Sequence, residues 1–128
     1  LAPDENFKFS DTNNMSIVGK LVYGESSFLL TGDASKAVEN ILTYSDGDLL
    51  ESDILKAGHH GSKTSSSLLF LEKVKPKISI ISAGASNTYG HPHDEVINSL
   101  KSIKSEILQT KDEGSIVFQT DGVKIWRK

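Results

Sequence analysis

Apolar and polar residues follow one another along the chain in patterns that predict strands and helices. Ser16 to Asp33 contains two apolar stretches separated by Gly24 and Glu25, which is typical of a β-hairpin. Residues 34–50 carry apolar side chains three and four positions apart, a spacing that predicts a short helix. Residues 1–14 are polar and aperiodic, and we predict no element there.

The second half of the chain continues this alternation and then becomes rich in strands. We predict strands at 53–57, 78–82, 106–110, 115–120 and 123–127, and helices at 64–76 and 94–103. The strand at 78–82 is continuously apolar, which is typical of a central strand covered on both faces. The hydroxyl side chains at 64–67 are N-cap candidates for a helix of about three turns. Asp121 and Gly122 predict a two-residue turn between the last two strands. Together these elements predict a layered α/β domain with a mixed sheet.

Composition narrows the chemistry that such a domain can perform. The 128 residues correspond to one ordinary domain, and they include no cysteine, so any metal must be bound by imidazole and carboxylate groups. The net charge of -3 gives no overall attraction to nucleic acid. No apolar run approaches the roughly 20 residues of a membrane span, so we expect this piece to be soluble.

Residues able to bind metal occur in three predicted loops, each directly after a strand. The four histidines form two pairs, His59 with His60 and His91 with His93, and Asp33 ends the hairpin. The carboxyl ends of strands are where open α/β sheets usually bind ligands. Imidazole and carboxylate groups on one rim suit zinc, manganese or iron and metal-assisted hydrolysis.

Each of these loops also has a purely structural interpretation. Gly-Asp after a strand is often only a turn, and the glycines beside the first histidine pair suit a tight connection. Hydroxyl groups at a helix start usually cap it, although free amides there also bind phosphate. Pro92 suits the start of a helix, so His93 is a candidate cap and His91 is the better ligand candidate.

Three segments taken in order resemble a known family. LTGD ending at Asp33, GHHGSKTSSS at 58–67 and YGHPH at 89–93 are similar to the carboxyl-terminal half of metallo-β-lactamase-fold hydrolases. The resemblance is greatest to the hydrolase domain of ComEC-family competence proteins and to related stand-alone hydrolases. It implies a four-layer αβ/βα sandwich, of which residues 1–128 form the carboxyl-terminal αβ half, with the metal site at the sheet edges between the halves.

The resemblance also implies roles for individual residues. Asp33 would bridge two divalent metal ions, zinc or manganese, and His91 would be the late histidine ligand. His59 and His60 would be catalytic, one of them facing a metal or the scissile phosphate. The substrate phosphate would be held by Ser62 or Thr64.

The chain departs from the family pattern because no histidine precedes His59, so the HxHxDH motif of the amino-terminal half is absent. We therefore expect an incomplete metal site here, completed by a missing half-domain. The implied function is that of a phosphodiesterase or nuclease that acts on DNA during its uptake. The resemblance also implies a parent protein in the bacterial cell membrane, in which a channel domain accompanies the hydrolase domain and the hydrolase domain lies outside the cytoplasm. The alternatives are a non-catalytic scaffold module and a stand-alone hydrolase of a small phosphoester. Because a half-sandwich leaves one sheet face uncovered, we also expect the isolated piece to self-associate.

Overall fold

A five-stranded sheet organises the computed structural model, which describes residues 1–3 and 11–128. The prediction of an aperiodic opening segment falls partly on residues 4–10, which lie outside the described part of the chain. The sheet consists of β1 Gly19–Tyr23, β2 Ser26–Leu30, β3 Ile54–Lys56, β4 Ile78–Ile81 and β5 Glu106–Gln109, in that spatial order. The helices are α1 Lys36–Ser45, α2 Leu68–Val74, α3 Asp94–Ser102 and the short α4 Thr110–Glu113, and a hairpin of β6 Phe118–Thr120 and β7 Ile125–Arg127 ends the chain.

The sheet is mixed, as the sequence predicts. β1 and β2 are antiparallel and are joined by the predicted two-residue turn at Gly24 and Glu25, whereas β2 to β5 are parallel. Each parallel connection passes through a helix and moves one strand further in the same direction. Because such crossovers are right-handed, α1, α2 and α3 all lie on one face of the sheet.

The hydrophobic core fills the space between these three helices and the sheet. Leu29, Leu55 and Ile81 project from neighbouring strands into it. They meet side chains from all three helices: Val38 and Leu42 of α1, Phe70, Leu71 and Val74 of α2, and Val96 and Leu100 of α3. The result is one sheet layer and one helix layer, which matches an αβ half of the predicted sandwich.

The opposite face of the sheet is only partly covered, and this corrects one prediction. β4 is an interior strand, but only Ser79 and Ile81 are buried, while Ile78 and Ile80 on the opposite face are half-buried. On the face that carries Ile78 and Ile80, Leu21 is 60% exposed and Leu30 is 52% exposed. The continuous apolar pattern of this strand therefore does not reflect burial on both faces within the described residues.

The helices also differ in detail from the sequence prediction. The buried positions of α1 are Val38, Glu39, Leu42 and Thr43, whereas Ala37 and Ile41, which the apolar spacing favoured, are exposed. The second helix has seven residues rather than three turns, and its N-cap Ser67 makes no side-chain capping bond.

The turn of the final hairpin differs from the sequence prediction. The turn between β6 and β7 has four residues rather than two, because the Asp121 carboxylate accepts hydrogen bonds from the amides of Val123 and Lys124. Among the residues that the structure describes, no helix is both long and apolar enough to cross a membrane.

Candidate metal centre

The three predicted loops meet at one edge of the sheet. They follow β2, β3 and β4, whose carboxyl ends share that edge because the strands are parallel. Nε2 of His60 lies 3.5 Å from Oδ1 of Asp33. The ring centroids of His59 and His91 are 5.7 Å apart. The structure therefore brings Asp33 together with both histidine pairs, as the sequence predicts.

Backbone contacts position the Asp33 loop against the neighbouring strand. Thr31 Oγ1 donates to the carbonyl oxygen of Lys56 at 2.9 Å. The carbonyl oxygen of Gly32 accepts from the His59 amide at 3.0 Å and from Lys56 Nζ at 3.1 Å. Burial lowers the pKa of Lys56, and the nearby Asp33 carboxylate opposes that shift. The aspartate loop and the first histidine pair therefore form one hydrogen-bonded unit.

The first histidine pair is held in an unusual backbone conformation. His59 has φ 45° and His60 has φ 55°, both in the left-handed region, and Gly61 follows with φ 81°. Consecutive non-glycine residues in this region are strained, and such strain concentrates at functional sites. Gly61 is required by space as well, because a Cβ there would lie 2.6 Å from Pro92 Cβ. This close approach joins the two histidine loops.

His60 is oriented so that one ring nitrogen is free to bind a metal. Its Nδ1 donates to the carbonyl oxygen of Ser82 at 2.6 Å, since a carbonyl can only accept. In the neutral ring the lone pair is then on Nε2, the atom that faces Asp33. Metal-binding histidines usually donate their other ring N–H to a carbonyl or carboxylate in this way, which fixes the tautomer.

His59 has a different partner from His60. Its Nδ1 lies 3.2 Å from Oγ1 of Thr64, and this hydroxyl lies 3.0 Å from Oγ of Ser62. Thr64 is exposed, whereas Ser62 is buried. Of the two residues predicted to hold substrate phosphate, only Thr64 therefore presents its side chain to solvent.

His91 lies in a loop that is closed by Asn87. The Asn87 side chain accepts from the His91 amide at 2.8 Å and donates to the His91 carbonyl oxygen at 2.7 Å. Burial lowers the pKa of His91, and the neighbouring imidazoles of His93, His59 and His60 add to that shift. The Tyr89 ring also stacks on that of His91. Neither Asn87 nor Tyr89 was given a role from the sequence, although Tyr89 is the first residue of YGHPH and Asn87 lies two positions before it.

His93 connects the two loops. It occupies the N-cap position of α3 but makes no side-chain capping bond, so the predicted cap is wrong in that respect. Instead its Nδ1 accepts from the Lys63 amide at 3.2 Å, and its own amide donates to the carbonyl oxygen of Gly61 at 3.0 Å. Pro92 precedes this N-cap and does not begin the helix.

Glu39 is a further residue that the sequence analysis did not identify. Its carboxylate is 1% exposed and accepts from the amides of Ser66 at 2.5 Å and Ser67 at 2.8 Å. It replaces the predicted hydroxyl caps at the start of α2. Burial raises the pKa of Glu39, and the two amides oppose that shift. The sequence could have indicated this role, because Glu39 follows the apolar Val38 and so falls on the core-facing side of the helix.

The side chains at this edge are of the types that bind divalent metals, but few of them lie close enough together to share one ion. Asp33 and His60 offer an oxygen and a nitrogen to the same space, and both are normal zinc or manganese ligands. Within residues 1–3 and 11–128, however, no group of three or more histidine, cysteine or acidic side chains is arranged to hold a metal ion. The described residues alone therefore do not supply a complete set of metal ligands.

The fold and this arrangement of aspartate and histidines agree with a sequence comparison. A sequence profile of the metallo-β-lactamase superfamily matches residues 12–85, more than half of the chain. The chain belongs to the metallo-β-lactamase superfamily, which confirms the family and the fold class predicted from the sequence.

Several individual relatives are competence or recombination proteins. The chain is 38% identical to ComE operon protein 3 of Bacillus subtilis over 92% of its own length and 15% of that protein. It is 38% identical to competence protein ComA of Neisseria gonorrhoeae, over 92% of this chain and 17% of that protein. It is 39% identical to recombination protein 2 of Haemophilus influenzae, over 81% of this chain and 13% of that protein. The chain thus spans about a sixth of these relatives or less.

Proposed function

We propose that this chain is the carboxyl-terminal half of a metal-dependent phosphodiesterase domain that acts on DNA during competence-type DNA uptake. The observation that carries the proposal is the convergence of Asp33 with His60 and His91 at the carboxyl ends of parallel strands. The similarity to competence proteins supports the biological setting. In this proposal the parent protein lies in the bacterial cell membrane beside a channel domain, and this domain faces away from the cytoplasm.

Asp33, His60 and His91 would contribute the metal-binding atoms of this half. Two divalent metal ions, when bound, would supply Lewis-acid polarisation of the phosphodiester. The other donors would come from a half-domain bearing HxHxDH, packed on the apolar sheet face that includes Leu21 and Leu30. Exposed apolar surface of that kind commonly marks an interface.

His59 and Thr64 would act on the substrate rather than on the metal. The exposed Thr64 hydroxyl would donate a hydrogen bond to a phosphate oxygen, and buried Ser62 would hold Thr64 in position. His59, oriented by Thr64, would hold the proton needed by the leaving oxygen. This assigns the two adjacent histidines to different tasks because their Nδ1 atoms have different partners.

The test is hydrolysis of a single-stranded oligonucleotide by the full-length protein loaded with manganese or zinc. Asp33→Ala and His91→Ala are expected to abolish hydrolysis while the circular dichroism spectrum is unchanged. Asp48→Ala is the matched control, because Asp48 is exposed beyond the end of α1, at the opposite edge of the sheet. Full activity in either site variant would refute the roles assigned to those residues.

A non-catalytic half-domain is the second candidate, and the shortage of metal ligands among the described residues favours it. Hydrolysis by the full-length protein separates the two candidates, since only the first predicts it. Both candidates share the half-domain assignment, which predicts that the purified 128-residue chain retains little metal after loading with zinc and manganese and desalting. Retention of about two metal ions per chain, measured by mass spectrometry, would show that the chain builds the site alone and would refute that assignment.

A further inference from the structure

A cleft of about 590 Å³ opens beside the rings of His60 and His91. Its volume lies within the roughly 300 to 1,000 Å³ typical of ligand sites. The roles proposed above use the histidines on its rim and assign nothing to its other walls. Those walls are formed by the segment after β4 and by the start of α4.

Hydrogen bonds hold the walls of this cleft in place. Thr110 Oγ1 donates to the carbonyl oxygen of Ala83 and accepts from the Ala83 amide, both at 3.0 Å. Asn87 donates to the carbonyl oxygen of Gly84 at 2.7 Å and also binds the backbone of His91. Small side chains line this wall, so space is left for a ligand. The cleft is therefore preorganised, which lowers the entropic cost of binding.

Tyr89 presents an exposed aromatic surface at the cleft. Its ring lies 5.7 Å from that of His91 with an interplanar angle of 23°, a stacked arrangement, yet Tyr89 is 77% exposed. Packing within the chain does not account for an aromatic side chain left this accessible. An exposed ring beside a phosphoester site is well placed to stack on a planar group of the substrate.

Lys111 supplies a positive charge to the same cleft. It lies on α4, is exposed, and forms no ion pair with any other described residue. The cleft therefore combines a stacking surface, small apolar walls and one cation. A nucleotide has the matching parts, which are a planar base and a charged phosphate.

We propose that this cleft binds one nucleotide of a single strand next to the scissile phosphate, with its base stacked on Tyr89 and its outer phosphate paired with Lys111. The strand must be single because bases in a duplex are already stacked on each other. The inference rests on the proposed function, since it names the form of the DNA substrate for that site.

The test compares oligothymidylate with a strand of the same length made of tetrahydrofuran abasic residues. The full-length manganese-loaded protein is assayed for KM, and Kd is measured by fluorescence anisotropy with the inactive Asp33→Ala protein. Tyr89→Ala is expected to raise both values about tenfold for oligothymidylate, as for one lost base stack. It is expected to leave the values for the abasic strand unchanged.

Two further variants control for indirect effects, and a third tests the phosphate contact. Tyr89→Phe keeps the ring and is expected to recover most of the affinity lost in Tyr89→Ala. Tyr44→Ala removes a tyrosine that is 83% exposed at the end of α1, away from the cleft, and should not change the preference for bases. Lys111→Gln is expected to reduce the slope of log Kd against log salt by about 0.7, the value for one phosphate contact on a single strand.

The outcomes distinguish this inference from the function on which it rests. If Tyr89→Ala affects both strands equally, or neither, the nucleotide cleft is refuted even when hydrolysis is confirmed. If the wild type hydrolyses neither strand but Kd shows the base-dependent loss, the proposed hydrolysis is refuted and the cleft is supported. If anisotropy shows no base-dependent difference, the cleft is refuted whatever the hydrolysis assay gives.

Discussion

Replacing Glu39 tests whether a buried acid holds the histidine loop. Its carboxylate accepts the amides of Ser66 and Ser67 immediately before α2, and it lies in α1, which follows the Asp33 loop. Glu39 therefore links the helix after the aspartate to the segment after the histidines. Two replacements separate its contributions: Glu39→Ala removes the acceptor, and Glu39→Gln keeps the shape without the charge.

The structure allows the size of each effect to be worked out. Glu39→Ala leaves the buried amide of Ser66 and the partly buried amide of Ser67 without an acceptor, at up to about 1–3 kcal/mol each, so we expect a loss of about 2–5 kcal/mol in the free energy of unfolding. In Glu39→Gln the amide oxygen still accepts one of these bonds. Losing the second bond is destabilising, but removing a buried charge offsets that loss. We therefore expect the free energy of unfolding of Glu39→Gln to lie within about 1 kcal/mol of the wild-type value.

The pH dependence gives an independent check. Burial raises the pKa of Glu39 above its ordinary value of 4.5, so the folded state binds the proton more tightly than the unfolded state. Its stabilising contribution is complete below pH 4.5 and is lost as the pH rises through the raised pKa. Glutamine does not titrate. The stability of the wild type relative to Glu39→Gln should therefore fall as the pH rises through that window.

Urea denaturation of all three proteins between about pH 4 and pH 8 measures both quantities by linear extrapolation. A Glu39→Gln variant as unstable as Glu39→Ala would show that the charge itself holds the loop. If the free energy of unfolding of the wild type rose with pH relative to that of Glu39→Gln, the two amide hydrogen bonds would outweigh the cost of burying the charge. Either result would refute the balance of burial against hydrogen bonding assigned to Glu39.

Three further predictions concern the joined loops and the uncovered sheet face. Asn87→Ala should lower hydrolysis by the full-length protein about 10- to 100-fold, as when a residue that positions a metal ligand is lost. Asn98→Ala, at an exposed position of α3, should leave hydrolysis unchanged. Equal activity of the two variants would contradict this. Gly61→Ala should destabilise the chain by about 1–3 kcal/mol, because it combines a positive φ with a clash against Pro92, and wild-type stability in urea would contradict the packing argument. The isolated chain should self-associate through the exposed apolar face, and Leu30→Lys should shift it towards monomer in size-exclusion chromatography with light scattering; a wild-type monomer at high concentration would exclude this.

Some local features were predictable because short-range rules govern them. The turn at Gly24 and Glu25 follows from two apolar stretches with a two-residue gap. The helix at 94–103 was predicted to within one residue, since its apolar spacing and its acidic first turn agree. The prediction was wrong where a distant partner intervened, as when Glu39 replaced the predicted hydroxyl caps of α2.

The sequence by itself determined the order of strands and helices apart from the short α4, the layered α/β class with a mixed sheet, and the positions of Asp33 and the four histidines after strands. Periodicity and residue type decide these features along the chain. Only the tertiary structure decided that the helices share one face, that the loops bearing Asp33 and the histidines meet, and that Nε2 of His60 faces Asp33. These depend on crossover handedness and on contacts between residues far apart in the chain, such as His60 with Ser82, which no local pattern encodes.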